Sequence, residues 1–387
     1  MHTEIVEGTT KLLVPKSGDA SKKQVVFYNP RSKLSRDVSC SVIKALAREK
    51  DILYLDLLAA SGARGIRVAN EAGVSVHLND ASAEAYENIL RNAELNDVEV
   101  EVSNEPADLF LRRNSRAFNF IDIDPFGSPA FFLDNAVATL KRNGYLAFAA
   151  TDTAALCGVY PKTCLRRYSS LPIRCEFAHE VGLRILLGYT ARICARYGKG
   201  MNCLLSHSTE HYFRTYIELP KGKKEADLTL EQMGYLYYCR ACLNRSFERQ
   251  LFSMPKECKC GHEYEVAGPL WLGSIKDSEF CRRVLSESRY LWDAELEKLL
   301  ETITQEVDIP FYYDIHTLCS KLKVSAPPME KIIRGLRGYK TSRTHFSPTC
   351  IKTEAGVEKL KSILLPLLFF LAVFAEHLYR VSTVIAK

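Results

Sequence analysis

Apolar positions in the first half of the chain fall into short runs, Ile52 to Leu58, Val74 to Leu78, Phe118 to Ile123 and Tyr145 to Ala149, separated by stretches with helical spacing. In Ala83 to Leu95, for example, Tyr86, Ile89, Leu90 and Ala93 recur at intervals of three and four and share one helix face. Apolar strands alternating with helices predict a parallel α/β sheet covered on both faces, an open doubly wound fold. Ligands of such sheets lie beyond the carboxyl ends of the strands, so the residues just after each run carry the functional information.

From Asp227 the alternation gives way to an aromatic stretch, GYLYYCRACLNRSF, and a cysteine-rich segment ending in GPLWLG, which predicts a small inserted module over 227–268. Beyond Ser274 the pattern is helical. Phe280 to Val307 reads as a helix pair before a turn at Asp308 to Pro310, and His316 to Tyr339 as two short helices split by Pro327-Pro328. The expected division is a first domain over 1–270, module included, and a smaller α+β domain over 271–387. The apolar run Ile363 to Ala375 is thirteen residues long and broken by Pro366. A bilayer-spanning helix needs about 20 residues, so core packing or an interfacial tail is expected there, and no membrane span.

Composition narrows the class without changing this picture. The 387 residues are 47% hydrophobic and 25% charged, which excludes intrinsic disorder and fibrous repeats. The thirteen cysteines are odd in number and no secretory signal precedes Lys11, so a reducing cytoplasm is expected, with most thiols acting as small core groups. The net charge of +6 is modest, but it is unevenly spread. Seven basic residues (Lys321, Lys323, Lys331, Arg334, Arg337, Lys340, Arg343) face one acid, Glu330, in a single segment, a candidate grip for phosphates.

Three strand ends carry chemistry. The first runs into LDLLAASGARGIR, Leu55 to Arg67, a loop of small residues that lets the backbone approach a ligand and opens a helix N-terminus toward it. The second ends in Asn79-Asp80, where an acid can grip the hydroxyl pair of a ribose. Together they indicate an adenosine-containing cofactor. After the next strand comes IDIDPFGSPA, in which Asp124 is followed at once by Pro125, Phe126 and Gly127. A capped turn would explain Asp-Pro alone. The combination with an aromatic at the ligand edge has a sharper use. An exocyclic amine on a nucleobase is a poor nucleophile, because its lone pair is delocalised into the ring. A carboxylate and a prolyl carbonyl accepting its two hydrogens would push that nitrogen toward tetrahedral geometry and aim the lone pair at an electrophilic methyl, while Phe126 stacks on the base. Amino-directed S-adenosylmethionine-dependent methyltransferases use such a constellation.

A second site is independent of the first. Cys239-x2-Cys242 and Cys258-x-Cys260 are two close thiol pairs at a zinc-ribbon separation, which fits a tetrahedral zinc. The second pair is one residue short of the usual spacing, and His262 is an alternative ligand.

Seven strings, in order, carry a closer resemblance: EGTTKLLVP (Glu7 to Pro15), FYNPR (Phe27 to Arg31), LSRD (Leu34 to Asp37), DPFGSP (Asp124 to Pro129), TDTAALCGVYPKTCLRRY (Thr151 to Tyr168), HEVGLRILLG (His179 to Gly188) and RTHFSPTCIKT (Arg343 to Thr353). With these the chain resembles the tRNA guanine-26 N2-dimethyltransferases of archaea and eukaryotes over nearly its whole length. The resemblance implies a class I S-adenosylmethionine-dependent methyltransferase domain, Rossmann-like, with a zinc-ribbon-like insertion and a family-specific C-terminal domain. It implies transfer of one and then a second methyl to N2 of guanine 26, with tRNA as partner; no protein partner is implied, and a monomer is expected. It also implies Arg36, Arg64 and Asp80 as cofactor contacts, Asp124 as the catalytic carboxylate, Pro125 as the source of an accepting carbonyl, and Phe27 with Phe126 as the pair holding the flipped base. The segment Asn104 to Asp108 departs from the family's Asp-Ala: Pro106 stands where the adenine-binding acid belongs, Ala107 can still donate its N–H, and Glu105 or Asp108 could substitute. Two other classes stay open on the residues alone, a non-catalytic zinc-containing RNA-binding protein and a methyltransferase of another exocyclic amine.

Overall fold

The computed structural model describes residues 2–15, 26–251 and 254–365; Pro366 to Ala375 of the apolar run therefore lies outside the described residues. The chain opens with an antiparallel hairpin, β1 (His2–Glu7) and β2 (Thr10–Pro15), followed by α1 (Lys33–Ala47). The elements that follow are β3 (Leu53–Asp56), α2 (Ala63–Ala72), β4 (Ser75–Asn79), α3 (Ala83–Leu95), β5 (Glu101–Ser103), α4 (Ala107–Arg113), β6 (Phe120–Ile123), α5 (Ala130–Thr139) and β7 (Gly144–Ala150). Then come α6 (Thr153–Leu156), α7 (Pro161–Tyr168), α8 (Ala178–Arg196), β8 (Asn202–Thr209), β9 (Tyr212–Leu219) and α9 (Lys223–Leu230).

These strands form one seven-stranded sheet in the order β5-β4-β3-β6-β7-β9-β8. The first five are parallel and β9 runs antiparallel to both β7 and β8, so the expected parallel sheet is mixed at one edge. The strands β6 and β7 are buried along their whole length, which is why their sequences are apolar apart from Asp122. The chain reverses its direction of winding at β3, which pairs with β4 on one side and β6 on the other. At such a point the flanking loops part and leave a crevice at the strands' carboxyl ends.

Two apolar layers cover the sheet. On one face Val38, Val42 and Leu46 of α1 meet Ile66 of α2 and a helix pair, α10 (Ser278–Ser288) and α11 (Ala294–Gln305). On the other, α5 and α8 pack against the sheet and against the C-terminal elements. A small sheet of β10 (Met233–Tyr238), β11 (Arg245–Glu248) and β12 (Glu265–Trp271) carries the cysteines. It begins at Met233 rather than Asp227, because Asp227 belongs to α9, which packs on α8. The last sheet joins β13 (Tyr313–Asp314), β14 (Thr341–Thr344) and β15 (Ser347–Thr353), with α12 (Ile315–Leu322), α13 (Met329–Gly335) and α14 (Val357–Leu364) around it. Buried charges pin it to α8: Lys352 lies 3.1 Å from Glu180 and 2.8 Å from Glu306, and Glu180 accepts the backbone N–H groups of Phe311 and Tyr312.

Candidate active site

The residues singled out after three strands converge at the switch point. A cavity of about 530 Å³, within the usual range for cofactor pockets, is lined from one side by Asp56, the loop Leu58 to Arg64 and Asp80, and from the other by Phe27, Asp124, Pro125 and Phe126. At its donor end Asp80 accepts the N–H groups of Ala60 (2.8 Å) and Ser82 (2.9 Å), which fixes the carboxylate at the end of β4. Gly62 adopts φ +75°, a conformation suited to glycine, and opens the N-terminus of α2 toward the cavity. One turn on, a Cβ at Gly65 would lie 2.5 Å from Leu78 Cδ2 and 3.2 Å from Asp56 Oδ2, so only glycine lets α2 come this close to the strands. Burial and the neighbouring Asp122 carboxylate raise the Asp56 carboxyl to about 7, against the pull of Arg64.

Asp124 follows β6 and ion-pairs through Oδ2 with Nη2 of Arg64, whose Nη1 in turn donates to Ser39 Oγ at 2.5 Å. Beneath it Asp122 is saturated: Arg214 donates at 2.8 and 2.5 Å and the Tyr54 hydroxyl at 2.7 Å. The two aspartates of the string IDID thus have different fates. The first is locked into the sheet; the second is one-third exposed at the cavity. The turn after it is held by Thr151, which accepts from Gly127 N (2.8 Å) and donates its own N–H to Gly127 O (2.9 Å). This leaves Phe126 49% exposed, with its ring centroid 4.2 Å from that of Phe27 in an edge-to-face contact. A second cavity of about 220 Å³ lies on the other side of Asp124, lined by Glu210, His211 and Tyr212 of the β8–β9 turn.

Two expectations change. Arg36 lines the cavity, but its Nε and Nη2 donate to the two Glu7 oxygens at 2.7 and 2.6 Å, and Arg64 is committed to Asp124 and the α1 serines. Both guanidinium groups thus reach the cavity already engaged by protein groups. Pro106 and Ala107 do not line the cavity; they form the N-terminus of α4 beside it. Of the acids around them, Glu105 pairs with Arg113 (3.1 Å) and Asp108 accepts from Asn135 (2.8 Å). Glu7, Tyr28 and the β8–β9 turn went unread in the sequence. Glu7 stood in a quoted string, yet nothing local links it to Arg36, 29 residues on.

The four cysteines come together as expected, with all four Sγ atoms within 4.8 Å of one another. Sγ separations of 3.4 Å (Cys239 to Cys260) and 3.6 Å (Cys242 to Cys258) are close to the roughly 3.8 Å edge of a tetrahedron with 2.3 Å zinc–sulfur bonds. The shortened second pair is accommodated by Gly261 at φ +82°, whose N–H returns to Cys258 O at 2.8 Å. His262 reaches only Cys260, its Nδ1 3.6 Å from that sulfur. The set therefore fits a structural zinc held by four thiolates.

Comparison with known proteins agrees with this geometry. The family described as N2,N2-dimethylguanosine tRNA methyltransferase matches residues 7–365. A tRNA (guanine(26)-N(2))-dimethyltransferase of Methanothermobacter thermautotrophicus is 43% identical over 92% of this chain and 97% of its own length. One from Pyrococcus horikoshii is 39% identical over 92% of this chain and 96% of its own. A solved structure of Trm1 from Pyrococcus horikoshii with S-adenosyl-L-methionine superposes with a TM-score of 0.84 at 39% identity, covering 94% of this chain and 100% of that one. End-to-end similarity in sequence and in fold leads to one conclusion: the chain belongs to the N2,N2-dimethylguanosine tRNA methyltransferase family.

Proposed function

We propose that this chain transfers methyl groups from S-adenosylmethionine to the exocyclic N2 of guanine 26 in tRNA, giving the monomethyl and then the dimethyl base. The observation that carries the reading is the placement of Asp124, held by Arg64, on the same cavity as Asp80 and the small-residue loop. When bound, the donor supplies an electrophilic methyl on a sulfonium. Asp80 would hold its ribose and the loop Leu58 to Arg64 its backbone contacts. Asp124 Oδ1, which has no protein partner among the described residues, and the Pro125 carbonyl would accept the two hydrogens of the guanine amine and turn its lone pair toward the methyl. As the N–C bond forms, the sulfur keeps the electron pair of the broken bond, and the proton lost from N2 passes to Asp124. Arg64 is then best read as the group that orients Asp124, and Phe27 and Phe126 as the walls that hold the base.

We place this activity in the cytoplasm, carried by a monomer, with residues 1–270 as the catalytic portion and 271–387 as a tRNA-binding portion. None of the thirteen cysteines is in a disulfide, and no helix among the described residues is long and apolar enough to cross a membrane. The test is nucleoside mass spectrometry on unmodified tRNA incubated with enzyme and donor. Wild type should give dimethylguanosine that disappears when guanine 26 is replaced, and Asp124→Ala should lower turnover by about 10² to 10⁴ while still binding S-adenosylhomocysteine. Retention of more than roughly a tenth of the activity in Asp124→Ala would overturn the role given to that carboxylate.

A further inference from the structure

The residues between Asp152 and Glu176 include no acid and four cations, Lys162, Arg166, Arg167 and Arg174. Arg167 is used internally, paired with Asp152 at 2.9 Å. The other three are exposed, and no carboxylate lies within ion-pair distance of them among the described residues. Their placement on α7 is ordered. Cys164 and Tyr168 point into the core, so Lys162, Leu165 and Arg166 share the solvent face, with Tyr160, 60% exposed, at the helix start.

This face is fastened to the catalytic turn. Tyr168 Oη lies 2.6 Å from Ser128 Oγ, just past Asp124-Pro125-Phe126-Gly127, and donates to Asp152 at 2.8 Å. On its far side it is fastened to the zinc module: Leu171 and Gly268 exchange backbone hydrogen bonds at 2.9 Å, and Arg240 donates to the Arg174 carbonyl at 3.0 Å. Lys321 then donates to the carbonyls of Arg240 and Ala241 at 2.7 and 2.8 Å. The exposed face of α7 is thus joined through the zinc module, where Arg240 is itself paired with Glu265 at 2.6 Å, to the basic C-terminal segment. Part of that segment is already neutralised too: Arg343 meets Glu330 at 3.2 Å and Lys340 meets Glu354 at 3.3 Å.

We propose that the solvent face of α7 and the segment running on to Arg174 form the platform that grips the sugar–phosphate backbone of tRNA beside the target guanine. This rests on the function proposed above and adds the surface that reaches the nucleotides next to the flipped base. Unpaired lysine and arginine side chains meet phosphates without reading sequence, and an exposed tyrosine offers a stacking face to an unpaired base. Pulling a base from the tRNA core needs such an anchor close to the pocket, since the unstacking energy is recovered only through contacts with the strand on either side.

The test uses the full chain carrying Lys162→Gln, Arg166→Gln and Arg174→Gln together, titrated with unmodified tRNA at several salt concentrations. Tighter wild-type binding should be lost with a slope of log affinity against log salt that is flatter by about 2 to 3 units. Affinity for S-adenosylhomocysteine and the thermal midpoint should stay at wild-type values. Tyr160→Ala should weaken tRNA binding with no change of slope. An unchanged affinity and slope in the triple variant would overturn the proposal, and so would a flattening seen only in a matched Arg334, Arg337 and Lys340 variant. Failure of the wild type itself to bind tRNA would instead strike at the function proposed above.

Discussion

The Glu7 carboxylate lies along one edge of the Arg36 guanidinium, its two oxygens 2.7 Å from Nε and 2.6 Å from Nη2, with the Tyr28 hydroxyl donating to it at 2.5 Å. The turn of the N-terminal hairpin thereby fixes a side chain of the cavity wall and, through Tyr28, the neighbour of Phe27. Glu7→Gln keeps the shape but removes the charge that holds Arg36. It should weaken binding of S-adenosylhomocysteine by about tenfold or more, with a larger effect on the donor KM than on kcat. Calorimetric titration well below the unfolding temperature checks this, and an unchanged affinity would reduce Glu7 to a structural role.

The same residue sets an acid limit. Burial alone would raise the Glu7 carboxyl, but Arg36, with help from Tyr28 and Arg67, lowers it to about 2 from an ordinary 4.5. A carboxylate with a depressed folded-state value contributes stability that is complete above its unfolded value and is lost as the pH falls toward the folded one. The stability gap between wild type and Glu7→Gln should therefore be constant above pH 4.5 and shrink between 4.5 and about 2. Denaturant melts at pH 6 and pH 3 would show it; a gap of equal size at both would contradict the assignment.

Metal removal should act locally. Zinc contributes directly to folding in such modules, so chelation, or Cys239→Ser with Cys242→Ser, should expose the segment from Met233 to Trp271 to proteolysis. Protein purified without chelator should contain about one zinc per chain. Freely reactive thiols at all four positions in the folded protein, with no metal present, would exclude the site.

Gly65→Ala tests the close approach at the donor end. The added methyl meets Leu78 Cδ2 at 2.5 Å and Cγ at 2.8 Å inside a packed face, which should cost about 1 to 3 kcal/mol and push α2 away from the strands. Both the thermal midpoint and the affinity for S-adenosylhomocysteine should fall. Wild-type values for both would mean that the helix has room to shift.

What could be read in the sequence was whatever depends on local order. Asp80, Asp124 and Phe126 were legible because a strand end dictates where the next residue goes, and the cysteines because two tight turns dictate where thiols meet. The commitments of the arginines were not legible. Arg36 finds Glu7 through the packing of a hairpin onto α1, and Arg214 of β9 finds Asp122 of β6 across the intervening β7. The antiparallel edge was hidden for a related reason: CLLSHST and YFRTYIEL hold buried His207, Arg214 and Thr215, of which Arg214 finds Asp122 and Ser39 elsewhere in the fold and His207 turns to Thr209 in its own strand, so no clean apolar run marks the strands.

The contact between Phe27 and Phe126 has a consequence for which molecules the enzyme notices. Rings 4.2 Å apart leave no slot for a planar base, so any guanine held between them must first part them. Stacking on an aromatic face is worth about 1 to 3 kcal/mol, little more than what the separated rings forfeit. Free guanosine nucleotides bring nothing else to this doorway and would find it shut, however abundant they are. Only a long polynucleotide, already anchored on both sides of the base, has binding energy to spare for opening it. With Phe27 and Phe126 holding the base as proposed, selection against the cell's nucleotide pool would come from an energetic threshold rather than from a group that recognises and rejects the smaller molecules.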